Sequence, residues 1–125
     1  MIWHLSDDRP IYAQLMETIT LAITSGALPA GSRLPSVRDL AAEAGVNPNT
    51  MQRALSELER SGLLYSQRTS GRFVTDQTEQ ITQKRKELAM EQIGVFLSSM
   101  KDMGYSTGQT IELIRQAEKE EHSHD

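Results

Sequence analysis

The chain has 125 residues, 38% of them hydrophobic, no cysteine and a formal net charge of −4. That length allows one ordinary core, or a small domain with an appendage, and leaves little room for a large enzyme cleft. The absence of cysteine excludes a disulfide framework, a thiolate metal site and a cysteine nucleophile. No stretch is long and apolar enough to span a membrane, and the first residues lack the apolar run of a signal segment, so the expected location is the cytoplasm.

Charge is unevenly placed. Residues 1–75 carry seven arginines, no lysine and seven acids, whereas residues 76–125 carry six basic and ten acidic groups. The negative balance therefore belongs to the C-terminal part. Arginine in place of lysine suits planar, bidentate contact with phosphate and guanine.

A first helix is expected to start near Asp8 or Pro10, with Asp8 as its cap and Pro10 at an early position. Ile11, Leu15, Ile19 and Ile23 form its apolar stripe, and Gly26 stops it. Leu28-Pro-Ala-Gly31 reads as a turn and Ser32-Arg-Leu34 as a short extended piece. Ser36 then caps a short helix, with Asp39 three residues on and Leu40, Ala41 and Ala44 on its apolar side. Gly45 breaks it. Asn47 caps the next helix and Pro48 takes its first position, where a missing N–H costs little. Met51, Ala54, Leu55 and Leu58 recur on one face, and Gly62 closes the helix.

Leu63-Leu-Tyr-Ser-Gln67 has strand character, Arg68-Thr-Ser-Gly71 is a hairpin tip, and Arg72-Phe-Val-Thr75 returns. Asp76 to Gln80 reads as a polar linker. In the helix beyond it, Ala89, Ile93, Phe96, Met100 and Met103 are spaced four, three, four and three, a seam able to pack on another helix. Gly104 ends that helix and Thr107 is expected to cap the last one, whose apolar side holds Ile111, Leu113, Ile114 and Ala117. The resulting class is mainly α with a small β-hairpin wing. Residues 1–76 form a winged helix-turn-helix and residues 77–125 a helical C-terminal segment.

A short capped helix, a glycine turn and a second capped helix can present a polar face to the DNA major groove while the opposite face stays in the core. Asn49, Gln52, Arg53 and Ser56 lie largely away from the apolar set of the third helix. Asparagine and glutamine can read adenine, and arginine can read guanine or clamp phosphate. Taken alone, this helix reads as an ordinary amphipathic helix with a wet polar face. The ordered set of elements, followed by a hairpin with Arg68 and Arg72 at its tip, favours the DNA-reading role.

The sequence resembles the GntR family of bacterial transcription regulators, and within it the YtrA-like subfamily with a short C-terminal segment. The resemblance rests on Pro10-Ile-Tyr12 with Gln14-Leu15, then Gly26, Leu28 and Gly31, then Arg33-Leu-Pro-Ser-Val-Arg38 with Leu40-Ala41. It continues through Gly45-Val-Asn-Pro-Asn-Thr-Met-Gln-Arg-Ala-Leu55, Leu58-Glu59, Gly62-Leu63, and Gly71 with Phe73-Val74. It implies DNA contacts from Arg38 in the second helix and from Asn49, Thr50, Gln52 and Arg53 at the start of the recognition helix. It implies a wing over Arg68, Thr69, Ser70 and Gly71 that enters the minor groove. The subfamily often shows Arg-Gly-x-Gly-Thr-Phe-Val, whereas this chain has Arg68-Thr-Ser-Gly-Arg-Phe-Val74. Thr69 thus replaces a glycine that allows close backbone approach, and Arg72 is expected to compensate with charge.

Other features weigh less. His122-Ser-His124 beside Glu120 and Glu121 lacks a third ordered ligand, so no metal and no cofactor is expected. His4, beside Trp3, reads as a packing residue. Lys84-Arg-Lys86 reads as a solvated face. No catalytic constellation is present, so the chain is not expected to be an enzyme. Two helices are too few to enclose a ligand, and the seam from Ala89 to Met103, with Ile111 and Ile114, reads as a subunit interface. The subfamily is similar in dimerising through such helices. Two symmetric heads read a longer two-fold site than one, which makes a homodimeric regulator, in the first instance a repressor on a pseudo-palindromic operator, the expected function. The alternative is a winged-helix module that binds protein instead of DNA, which the net negative charge suits. The residues name no small-molecule effector. The resemblance implies control of neighbouring transporter genes, often of the ATP-driven type.

Overall fold

The computed structural model describes residues 1–123 and places seven elements in order. They are α1 (Ile11–Thr24), α2 (Val37–Ala44), α3 (Pro48–Arg60), β1 (Leu64–Gln67), β2 (Gly71–Val74), α4 (Thr78–Asp102) and α5 (Thr107–Ser123). The chain divides into two compact units, Met1–Arg85 and Lys86–Asp125. None of the described helices is long and apolar enough to cross a membrane.

The first unit is built around α1, α2 and α3. Leu15, Ile19 and Ile23 of α1 meet Leu40 and Ala41 of α2 and Met51, Ala54, Leu55 and Leu58 of α3, with Leu34, Leu63, Leu64 and Val74 completing one buried cluster. These are the residues that helical spacing marks as apolar stripes, because a period of 3.6 brings every third or fourth side chain to one face. Ser36 caps α2 by accepting from the backbone N–H of Asp39, and Asn47 caps α3 by accepting from that of Asn49. Gly45 closes α2 at φ 72°, a left-handed conformation that glycine adopts without steric cost.

The start of α1 departs from expectation. Asp8 does not cap it: the helix begins after Pro10 without a side-chain cap, and Asp8 accepts instead from the Ser6 hydroxyl. The buried amide of Gln14 ties down the entering chain. It donates to the carbonyls of Ser6 at 2.8 Å and Arg9 at 2.9 Å, and its oxygen accepts from the Ser6 N–H at 2.8 Å. His4 is exposed, so it is not the packing residue expected from its neighbour Trp3.

β1 and β2 pair antiparallel with Tyr65 opposite Phe73 and Ser66 opposite Arg72. The segment Ser32–Leu34 lies beside β2 through an isolated antiparallel bridge of Arg33 to Phe73: Leu34 N–H donates to the Arg72 carbonyl and Val74 N–H to that of Ser32. Gly71 turns the chain into β2 at φ 108°. The polar stretch after the hairpin is shorter than expected, because α4 is already helical from Thr78 and its Ile81 packs on the core of the first unit.

In the second unit, Gly104 at φ 96° follows the end of α4. Ser106, not Thr107, caps α5. Gln109 N–H donates to the Ser106 hydroxyl at 3.1 Å and Ser106 N–H to the Gln109 side chain at 2.9 Å, a reciprocal capping box. Sequence order misled here, since both residues are good caps and the glutamine three positions on selects the first. Along α4 no residue is buried. Ile93, Phe96, Met103, Ile111 and Ile114 of the expected seam are exposed, as is Ala89, and Met100 is half-buried.

Candidate nucleic-acid interface

The polar face of α3 follows from the burial of its opposite side. Met51, Ala54, Leu55 and Leu58 are in the core, which leaves Asn49, Gln52, Arg53 and Ser56 outward and Thr50 on the rim. Gln52 donates from its amide nitrogen to the Ser56 hydroxyl one turn on, at 3.0 Å, so its oxygen and its second N–H stay available. Asn49 and Thr50 line one cleft with Pro10, Ile11, Tyr12 and Arg53, where the start of α1 abuts the start of α3. Over the ring of Tyr12 lies the guanidinium of Arg53, 3.6 Å from the ring centre.

A second cleft runs between the extended piece before α2 and the wing. Arg33, Ser36, Ser66, Gln67, Arg68, Thr69, Gly71 and Arg72 are among its lining residues. Arg33 lies across the backbone of Gly71: a Cβ at that glycine would come 3.1 Å from Arg33 Nε. Arg68, Thr69 and Ser70 are exposed at the tip. Arg38 is exposed on α2.

The arginines of the first unit up to residue 75 fall into two groups. Arg9 pairs with Glu17, Arg60 with Glu57 and Arg72 with Glu59. Among the described residues, Arg33, Arg38, Arg53 and Arg68 have no carboxylate partner. Three of these four are expected DNA contacts. Arg33 is the addition; it sits in the matched stretch Arg33 to Arg38 and in the expected extended piece, but its closeness to the wing comes from the bridge of that piece to β2, which no local pattern announces.

Arg72 is placed otherwise than expected. Its Nε donates to Glu59 at 2.5 Å, and Ser66, its cross-strand partner, donates to the same carboxylate oxygen. One acid on α3 thus holds both wing strands. Partial burial pushes the Glu59 carboxyl up, and the hydrogen bonds from Ser66 and Arg72, with the charge of Arg72, outweigh it and hold the group below the usual carboxylate range. Arg72 therefore orients the wing against α3 and is not a loose charge at the tip. Tyr65 and Phe73, stacked with ring centres 5.6 Å apart, stiffen the same hairpin.

Among the described residues no group of His, Asp and Glu is arranged to hold a metal ion. His124, part of the histidine pair noted in the sequence, lies outside the described residues. Arg85 and Lys86 are exposed and Lys84 is half-buried.

The sequence pattern described as "Bacterial regulatory proteins, gntR family" matches residues 11–74. The chain belongs to the GntR family. An uncharacterised helix-turn-helix regulator of Bacillus subtilis, YhcF, is 35% identical over 107 residues, spanning 86% of this chain and 88% of the relative. The repressor YtrA of the same organism is 37% identical over 67 residues, 54% of this chain and 52% of the relative. A GntR family transcriptional regulator from Listeria monocytogenes superposes with a TM-score of 0.84 at 34% identity, covering 90% of this chain and 98% of that one. The DNA-binding domain of AraR, solved in complex with operator ORX1, superposes with a TM-score of 0.52 at 33% identity over 60% of this chain and 92% of that one. The winged helix-turn-helix fold and the role of transcription regulator, rather than enzyme, follow from membership and from these relatives.

Proposed function

We propose that this regulator acts in the cytoplasm as a homodimeric repressor that binds a pseudo-palindromic DNA operator. In this reading residues 1–76 are the reading head and residues 77–125 the dimerisation segment. The observation that carries it is the sorting of the arginines: those without an acidic partner lie on α2, on the outward face of α3 and along the wing cleft. Arg53, Gln52, Asn49 and Thr50 read base edges, Arg38 contributes from α2, and Arg33 and Arg68 neutralise phosphate beside the wing. Thr69, Ser70 and Gly71 form the tip that approaches the minor groove. The exposed apolar seam of α4 and α5 supplies the joint, since two heads tied by symmetry read two half-sites. Repression is supported by the similarity to the repressor YtrA, and operator binding by the similarity to the AraR domain in complex with its operator.

Selection of the full chain on a randomised duplex pool tests this. A two-fold motif is expected, with affinity falling steeply as salt rises, because phosphate neutralisation releases counterions. Gln52→Ala and Arg53→Ala each lose roughly 1–3 kcal/mol of discrimination on the recovered duplex by gel shift. Absence of any enriched motif would refute DNA reading and favour a protein partner.

A further inference from the structure

We infer that Tyr12 is a positioning residue for Arg53, holding the guanidinium of α3 so that its edge faces the DNA. This rests on the reading of α3 as the DNA-reading helix. The two residues meet at 3.6 Å between the guanidinium carbon and the ring centre. A guanidinium is flat, its faces are weakly hydrated and its five N–H groups lie in its plane. Stacking on an aromatic ring therefore occupies a face and leaves the in-plane donors free for a pair of acceptors, such as a guanine edge or a phosphate. Among the described residues no carboxylate competes for those donors.

A platform must itself be held, and Tyr12 is. It is half-buried and packs on the core cluster. The chain entering α1 is locked beside it by the buried Gln14 amide, through its bonds to Ser6 and Arg9. Asn49 and Thr50 share the cleft, so the ring, the arginine and the first turn of α3 form one surface. An exposed arginine on a helix samples many rotamers, and fixing one of them on binding costs entropy. One already stacked loses less, and it meets the groove at a set angle.

The test uses the full chain and the duplex recovered by selection, with each base pair varied in turn. Tyr12→Leu weakens binding roughly two- to fivefold, the range of an exposed cation–π contact. Tyr12→Phe, which keeps the ring face, binds as wild type. In an Arg53→Ala background, Tyr12→Leu adds no further loss. Loss confined to one base pair marks a guanine edge as the acceptor, and uniform weakening marks a phosphate. The inference is overturned if Tyr12→Leu binds as wild type, if Tyr12→Phe loses as much as Tyr12→Leu, or if the losses with Arg53→Ala are additive. A readout that needs no folded variant is the wild-type proton spectrum, in which the ring current of Tyr12 moves the Arg53 side-chain signals upfield; unshifted signals also overturn it. If Arg53→Ala itself loses neither affinity nor selectivity, the reading of Arg53 as a DNA contact falls and this inference with it. If Arg53→Ala weakens binding while Tyr12→Leu binds as wild type, only the role of Tyr12 falls.

Discussion

The first unit, Met1–Arg85, and the segment from Lys86 onward are both rich in helix, yet they treat their apolar residues in opposite ways. In the first, the helical stripes of α1, α2 and α3 are largely enclosed, with Leu15, Ile19, Leu40, Met51 and Ala54 at 0% exposure and only the stripe ends Ile11 and Ala44 half-buried. In the second, a seam with equally regular spacing stays open, Ile93 at 48% and Met103 at 64%. Periodicity in a sequence announces that a face is to be covered. It does not say whether the cover comes from the same chain. A core that closes within one chain stabilises the head by itself, whereas the open seam would gain hydrophobic stabilisation only in the proposed dimer.

The contrast can be broken most sharply by paired substitutions. Leu55→Ala opens a cavity in the closed core and is expected to lower head stability by about 2–5 kcal/mol in urea unfolding. Ile93→Asp puts a charge on the open seam. It is expected to convert the dimer to monomer in sedimentation while leaving head unfolding within about 0.5 kcal/mol of wild type. Equal destabilisation of the head by both would show that the seam is part of the same core, and the comparison would collapse.

Smaller effects sharpen it. Ser36→Ala removes the cap of α2 and should cost the head about 1 kcal/mol by the same measurement. The equivalent change at the other cap, Ser106→Ala, acts on α5 and should shift association instead of head unfolding. The smallest expected effect is acid sensitivity of the wing clasp. The Glu59 carboxyl is lowered in the folded head, so its contribution is complete above the ordinary glutamate value of 4.5 and is lost as pH falls through the lowered folded value. Glu59→Gln should flatten that part of the acid limb of head stability. An unchanged acid limb would show that the clasp carries no linkage.

The interface separates along similar lines. Asn49, Gln52 and Arg53 could be placed outward from the spacing of Met51, Ala54, Leu55 and Leu58 alone, because a helix face is a local property. The caps at Ser36 and Asn47 and the stop at Gly45 were legible for the same reason: each bond spans two to four residues. Arg72 could not be placed that way. Its alternation in the strand leaves two faces open, and only the approach of Glu59 from α3 makes it a clasp. The role of Asp8 was misread because Ser and Asp hydroxyl and carboxylate groups form equally good local bonds outside a helix, and here the Gln14 amide already held the entering chain.

The helix spans, the caps at Ser36 and Asn47, the hairpin turn and the apolar faces are set by interactions within a few residues, so the chain order of this winged head can be read from the residues in turn. Which arginines remain free is a different kind of fact. It depends on acids that arrive from other elements: Glu17 beside Arg9, Glu59 beside Arg72, and none beside Arg33 or Arg53 among the described residues. The stack of Arg53 on Tyr12 and the reach of Arg33 across Gly71 likewise join positions far apart in the chain. Charge composition counts those groups, but folding alone brings the partners within the few ångströms over which one charge can satisfy another.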